Sequence, residues 1–186
     1  MSHECGVSGE LFERLCKIDK EIADRIRAGG CDHCGGGRLH RADYPRKVRG
    51  IPAEAELAWA RRISWCCSVD GCRRRTTPPS VRFLGRRVYA AIAVVMAVAS
   101  SAYRDTLAAP RRTVSRWTTW WREGLSQTAF WRTARAKLAV PVDLGALPQS
   151  LLLRFSGTAT ERLVALLRFI APLSTTSICS RSAMAM

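Results

Sequence analysis

The chain has 186 residues, with 30 Lys plus Arg against 15 Asp plus Glu and a formal net charge of +15. Hydrophobic residues make up 47% of it, enough to build a core, so wholesale disorder is excluded. A balance this one-sided repels itself in a compact state unless a polyanion binds, which puts nucleic acid first among partners, an anionic membrane surface second, and acidic proteins or small cations last.

In residues 1–30, Leu11, Leu15, Ile18, Ile22 and Ile26 recur at spacings of three and four, the period of an amphipathic helix. Ser8 is its candidate N-cap, Glu10 and Glu13 sit early, Arg25 and Arg27 sit late, and Gly29 and Gly30 end it. Its apolar face can serve core packing or a homodimer. The opening MSHECGVSGELFERL shows no basic segment followed by an apolar run, so a cytoplasmic location is expected. Clustered cysteines in that compartment read as metal ligands.

Residues 31–87 differ in kind, holding thirteen of the thirty Lys and Arg and five of the eight cysteines. Such a stretch is too polar to fold around apolar side chains alone, and a metal cross-link supplies what is missing. Cys31-Asp32-His33-Cys34-Gly35 has knuckle spacing, and Cys66-Cys67-Ser68-Val69-Asp70-Gly71-Cys72 offers the second pair of thiolates. Residues 62–66 alternate as a strand that puts Ile63, Trp65 and Cys67 on one face and Arg62, Ser64 and Cys66 on the other. With the aromatic face inward, the ligand set is Cys31, Cys34, Cys67 and Cys72, and Cys66 is the alternative. The 32 residues between Cys34 and Cys67 exceed the usual ribbon spacing, and His33 and His40 are spare ligands. Four thiolates leave no open coordination position, so the expected zinc is structural.

Arg73, Arg74 and Arg75 follow the last ligand directly and, with Arg82, Arg86 and Arg87, are candidate phosphate contacts; Thr76, Thr77 and Ser80 can add neutral ones. In residues 88–138 the apolar run Val88–Tyr103 covers sixteen positions. That is about 24 Å of helix against a hydrocarbon core of roughly 30 Å, so it reads as a buried helix and no membrane partner is expected. A helix from about Arg111 to Glu123 follows, with Val114, Trp117 and Trp121 on one side and Arg112, Ser115, Arg116 and Thr119 on the other. That division, with Arg111 at the start, is the layout of a DNA recognition helix.

Residues 139–172 read as a linker, Ala139–Pro148, and a last helix opened by the capping-box spacing of Thr158 and Glu161, with Leu163, Leu166, Leu167 and Ile170 as its stripe. Residues 173–186 are expected to be a disordered tail. The expected fold is α+β and mainly helical: an N-terminal helix, a small zinc ribbon of short antiparallel strands, and a helix-turn-helix-like region.

The run CDHCGGGRLHRADYPRKVRG followed by SWCCSVDGCRRRTTPPSVRFLGRRVYAAIAVVM resembles the zinc-ribbon proteins associated with bacterial transposases. In those, a ribbon precedes a Thr-containing strand, an apolar helix and a helix-turn-helix ending in a T-V-x-R-W-type sequence. The resemblance spans about Cys31 to Trp121. It implies zinc on Cys31, Cys34, Cys67 and Cys72 and a DNA-reading helix over Thr113–Trp121. The fifteen acidic residues are dispersed, and an RNase-H-like catalytic core is longer than this chain has room for. The expected function is therefore non-catalytic: zinc-dependent, nucleoid-associated binding to double-stranded DNA, as a targeting module of a mobile element or a small regulator derived from one. No small-molecule substrate is expected. The alternatives are an RNA-binding zinc ribbon and a membrane-associated or structural protein anchored by residues 88–103.

Overall fold

The computed structural model describes residues 8–85 and 88–175. The fold is α+β and mainly helical. Helix α1 spans Gly9–Gly29; the Ser8 hydroxyl accepts the Leu11 N–H at 3.4 Å, and Gly30, at φ 77°, ends the helix. Leu11, Phe12, Leu15 and Ile18 are buried against the chain's own core, so this stripe serves packing.

Three short strands, β1 (Leu39–Arg41), β4 (Trp65–Cys67) and β5 (Arg75–Thr76), form an antiparallel sheet in the order β1-β4-β5, and β2 (Tyr44–Pro45) pairs with β3 (Arg61–Arg62). The two ladders keep one continuous register: Leu39 faces Cys67, Arg41 faces Trp65 and Tyr44 faces Arg62. The Ala42 N–H donates to Ser64 O at 2.8 Å between them, and the Arg46 N–H donates to Ala60 O at 2.6 Å beyond. The long gap between the cysteine pairs is thus one extended hairpin. Its tip carries α2 (Glu56–Trp59) and turns Trp59 fully inward, 5.3 Å from the Phe12 ring and 6.1 Å from Phe83. A polar segment is thereby pinned to the main core by one large aromatic.

Helix α3 (Ala91–Ala99) has no polar face, and its residues 91–98 are all buried at the centre of the molecule. The apolar run is not one helix, however. Ser100 is extended at φ −136° and ψ 122°, and its hydroxyl accepts the Tyr103 N–H at 3.2 Å, which opens α4 (Ser101–Thr106). A serine able to cap a new helix competes with continuing the old one. Among the described residues no helix is long and apolar enough to cross a membrane.

Helix α5 (Arg111–Thr119) stops short of the expected Glu123 and passes into one wide turn, Trp120–Gly124, closed by the Leu125 N–H on Trp120 O at 2.8 Å. The extra residue in this turn lets Trp120 and Trp121 both point inward. Helix α5 lies against α3; its Trp117 ring is 4.9 Å from Tyr89, just before α3, and Trp121 of the wide turn donates its Nε1–H to Val94 O of α3 at 3.4 Å. Helix α4 has no fully buried residue and meets the main core through the partly buried Tyr103.

The chain continues through α6 (Ala129–Ala134) and α7 (Gln149–Leu152), neither of which the apolar period revealed. Leu147, within the expected linker, is 2% exposed and belongs to the core. Helix α8 (Ala159–Ile170) opens with the complete Thr158–Glu161 capping box and buries Leu163, Leu166, Leu167 and Ile170. Leu173 is also buried, and Ser174 Oγ accepts the Ser80 N–H at 2.8 Å, so residues 173 and 174 pack rather than trail, while Thr175 is exposed. The rest of the expected tail, 176–186, lies outside the described residues.

Candidate metal centre

Two turns bring the sulfurs together. After α1 the chain folds back on itself, with the Cys31 N–H donating to Gly37 O and the Gly35 N–H donating to Cys31 O, both at 2.9 Å. The second turn leaves β4 at Cys67 and returns at Cys72, whose N–H donates to Val69 O at 3.1 Å. The antiparallel sheet holds the two turns side by side, because Leu39 and Cys67 are cross-strand neighbours.

The Sγ atoms of Cys31, Cys34, Cys67 and Cys72 all lie within 4.8 Å of one another, close enough to hold one metal ion. Cys31 and Cys72 are 3.8 Å apart and Cys34 and Cys67 are 3.6 Å apart. A zinc ion with four bonds of about 2.3 Å places its sulfurs roughly 3.8 Å from one another. The donor set and its dimensions therefore fit a tetrahedral thiolate-bound ion.

The surroundings are cut to the same shape. A Cβ on Gly37 would stand 2.3 Å from the Cys67 sulfur and 3.0 Å from the Cys34 sulfur, so only glycine lets the backbone pass this close. The N–H groups of Gly36 and Gly37 aim at the Cys34 sulfur and bring its pKa down to about 7. At Cys67 the Val69 N–H pulls downward from 3.4 Å, but burial and the three neighbouring thiols outweigh it and push the value up to about 12.

Cys66 stands apart. It is half-buried on the other face of β4, where its thiol donates to Arg73 O at 3.4 Å, while Trp65 and Cys67 turn inward with Leu39 and Ala23. Strand alternation separates the two cysteines. The Trp65 Nε1 donates to Ala23 O at 3.1 Å, which fastens this inner face to α1.

The candidate phosphate contacts divide. Arg73, Arg74 and Arg75 are exposed beside the cluster, and Arg111, Arg112, Ser115, Arg116 and Thr119 are exposed on α5 with Val114 and Trp117 inward. Arg82 is a correction. It is 3% exposed, its Nε donates to Asp19 Oδ2 at 2.7 Å and its Nη1 donates to Ala58 O at 2.8 Å, so the core consumes its guanidinium. A lone arginine in sequence gave no sign of this, since its partner lies on α1. Ser80 is likewise buried, donating to the Asp19 carboxylate. Arg86 and Arg87 lie outside the described residues. The chain matches no family model, no curated protein and no solved structure.

Proposed function

We propose that this protein is a zinc-dependent, non-catalytic module that binds double-stranded DNA. The observation that carries the reading is the four-sulfur cluster whose last member, Cys72, is followed at once by three exposed arginines. A metal on those thiolates fixes the starting point of the arginine run, which lowers the conformational entropy lost on gripping phosphates. Four thiolates fill a tetrahedral ion's coordination and leave no position for a substrate or activated water, which supports a structural role. Helix α5 adds a second cationic surface, since Arg111, Arg112 and Arg116 form no ion pair among the described residues. The setting, a mobile-element targeting module or a regulator derived from one, rests on the sequence resemblance over Cys31–Trp121.

The test titrates zinc-loaded protein into a fluorescent 20-base-pair duplex at several salt concentrations, with and without chelator. Binding that weakens steeply with salt and is lost on chelation supports the proposal. Equal binding with and without metal overturns its zinc-dependent part, and stronger competition by structured RNA than by unlabelled duplex moves the assignment to RNA.

A further inference from the structure

Within that reading, we infer that the grip on the nucleic-acid backbone is made by the outward face of the three-stranded sheet, with Arg73 and Arg75 placed around Cys66. The register sets His40 on β1, Cys66 on β4 and Arg75 on β5 in one row across the sheet. His40 and Arg75 are exposed and Cys66 is half-buried, whereas the opposite face is covered by α1 and the cysteine cluster.

Two observations single out this face. The first is backbone strain. Arg73 is the only described residue other than glycine at positive φ, at 42°. In the first turn the same place, directly after the second cysteine, is held by Gly35 at φ 75°. Glycine adopts that conformation without penalty and arginine does not, so the side chain at 73 has a use that offsets the cost. Its local partner is Asp70, and that pair is exposed, a kind of contact readily exchanged for a phosphate. The Cys66 thiol, bonded to Arg73 O, helps hold the strained backbone in place. This gives the half-buried cysteine a positioning role separate from the metal.

The second observation is pre-organisation. Arg75 Nη1 donates to Ala42 O at 2.9 Å and its guanidinium lies 5.8 Å over the Tyr44 ring, which draws the side chain across the sheet. A guanidinium already extended and partly anchored loses less freedom when it meets a phosphate, and its remaining N–H donors stay available.

The experiment uses the full zinc-loaded chain, the fluorescent 20-base-pair duplex, and the variants Arg73→Gly and Arg75→Gln, with Lys17→Gln on α1 as a single-charge control. Expected results are at least fivefold weaker binding for each arginine variant, a salt slope smaller by about one for each, and a control within twofold of wild type. Arg73→Gly is also expected to keep its zinc and to unfold at an equal or higher urea concentration. Affinity then falls with no loss of stability, which a purely structural arginine would not produce. Bound duplex is further expected to slow maleimide labelling of Cys66, read at the peptide level, by at least threefold. Both variants binding within twofold of wild type, or Cys66 labelling at one rate in the free and bound protein, overturns this face as the grip. Failure of the wild-type protein to bind duplex at low salt overturns the DNA reading itself.

Discussion

Arg82 Nε donates to Asp19 Oδ2 across 2.7 Å with their side chains 4% and 1% exposed, an ion pair buried between α1 and the segment that leads to α3. The same carboxylate accepts the Val81 N–H at 2.7 Å, and Arg82 also donates to Ala58 O in the hairpin tip. One pair therefore joins three separate parts of the chain. Asp19→Asn or Arg82→Met leaves a buried charge without its counterpart and is expected to cost about 3–5 kcal/mol. Replacing both, with Leu at 19 and Met at 82, is expected to recover part of that loss. Urea unfolding in excess zinc reads all three, and a single-variant loss below about 1 kcal/mol contradicts this role.

Gly37→Ala is expected to weaken metal binding by at least tenfold, because the new methyl group would press on the Cys67 and Cys34 sulfurs. Competition against a chromophoric chelator measures it. A substitution of Gly36, where a Cβ meets nothing within 4 Å, is expected to leave affinity within a few-fold.

Much of this could be read from the residues, and the exceptions share a cause. Local patterns carried through: the three-and-four spacing of α1, the Thr158–Glu161 capping box, and the strand alternation that turns Cys67 toward the cluster and Cys66 away. What sequence did not show depends on partners far along the chain. Arg82 looked like a phosphate ligand because Asp19 is 63 positions away. The spacing between the cysteine pairs looked too long because the hairpin register continues on both sides of residues 42–43 and its tip reaches a different core. The break at Ser100 and the wide turn at Trp120–Gly124 are choices between nearly equal local geometries, settled by capping and by how many tryptophans the core admits.

The capping box gives a pH signature. The Thr158 N–H and hydroxyl hold the Glu161 carboxyl below its ordinary 4.5. A depressed folded-state value means that the stabilisation is complete above the unfolded value and disappears as pH falls through the folded one. The stability difference between wild type and Glu161→Gln is therefore expected to be constant from neutral pH down to about 5 and to shrink below that. Both chains share the proton competition at the cysteines, so the difference cancels it. Thr158→Ala is expected to cost about 1 kcal/mol at neutral pH. A difference that grows on acidification contradicts the assigned box.

The most direct test is metal analysis of purified wild type, Cys66→Ser and Cys67→Ser by mass spectrometry. The cluster of Cys31, Cys34, Cys67 and Cys72 predicts about one zinc per chain in the wild type and in Cys66→Ser, with loss of zinc in Cys67→Ser. A metal-free wild-type chain, or zinc retained in Cys67→Ser and lost from Cys66→Ser, contradicts it.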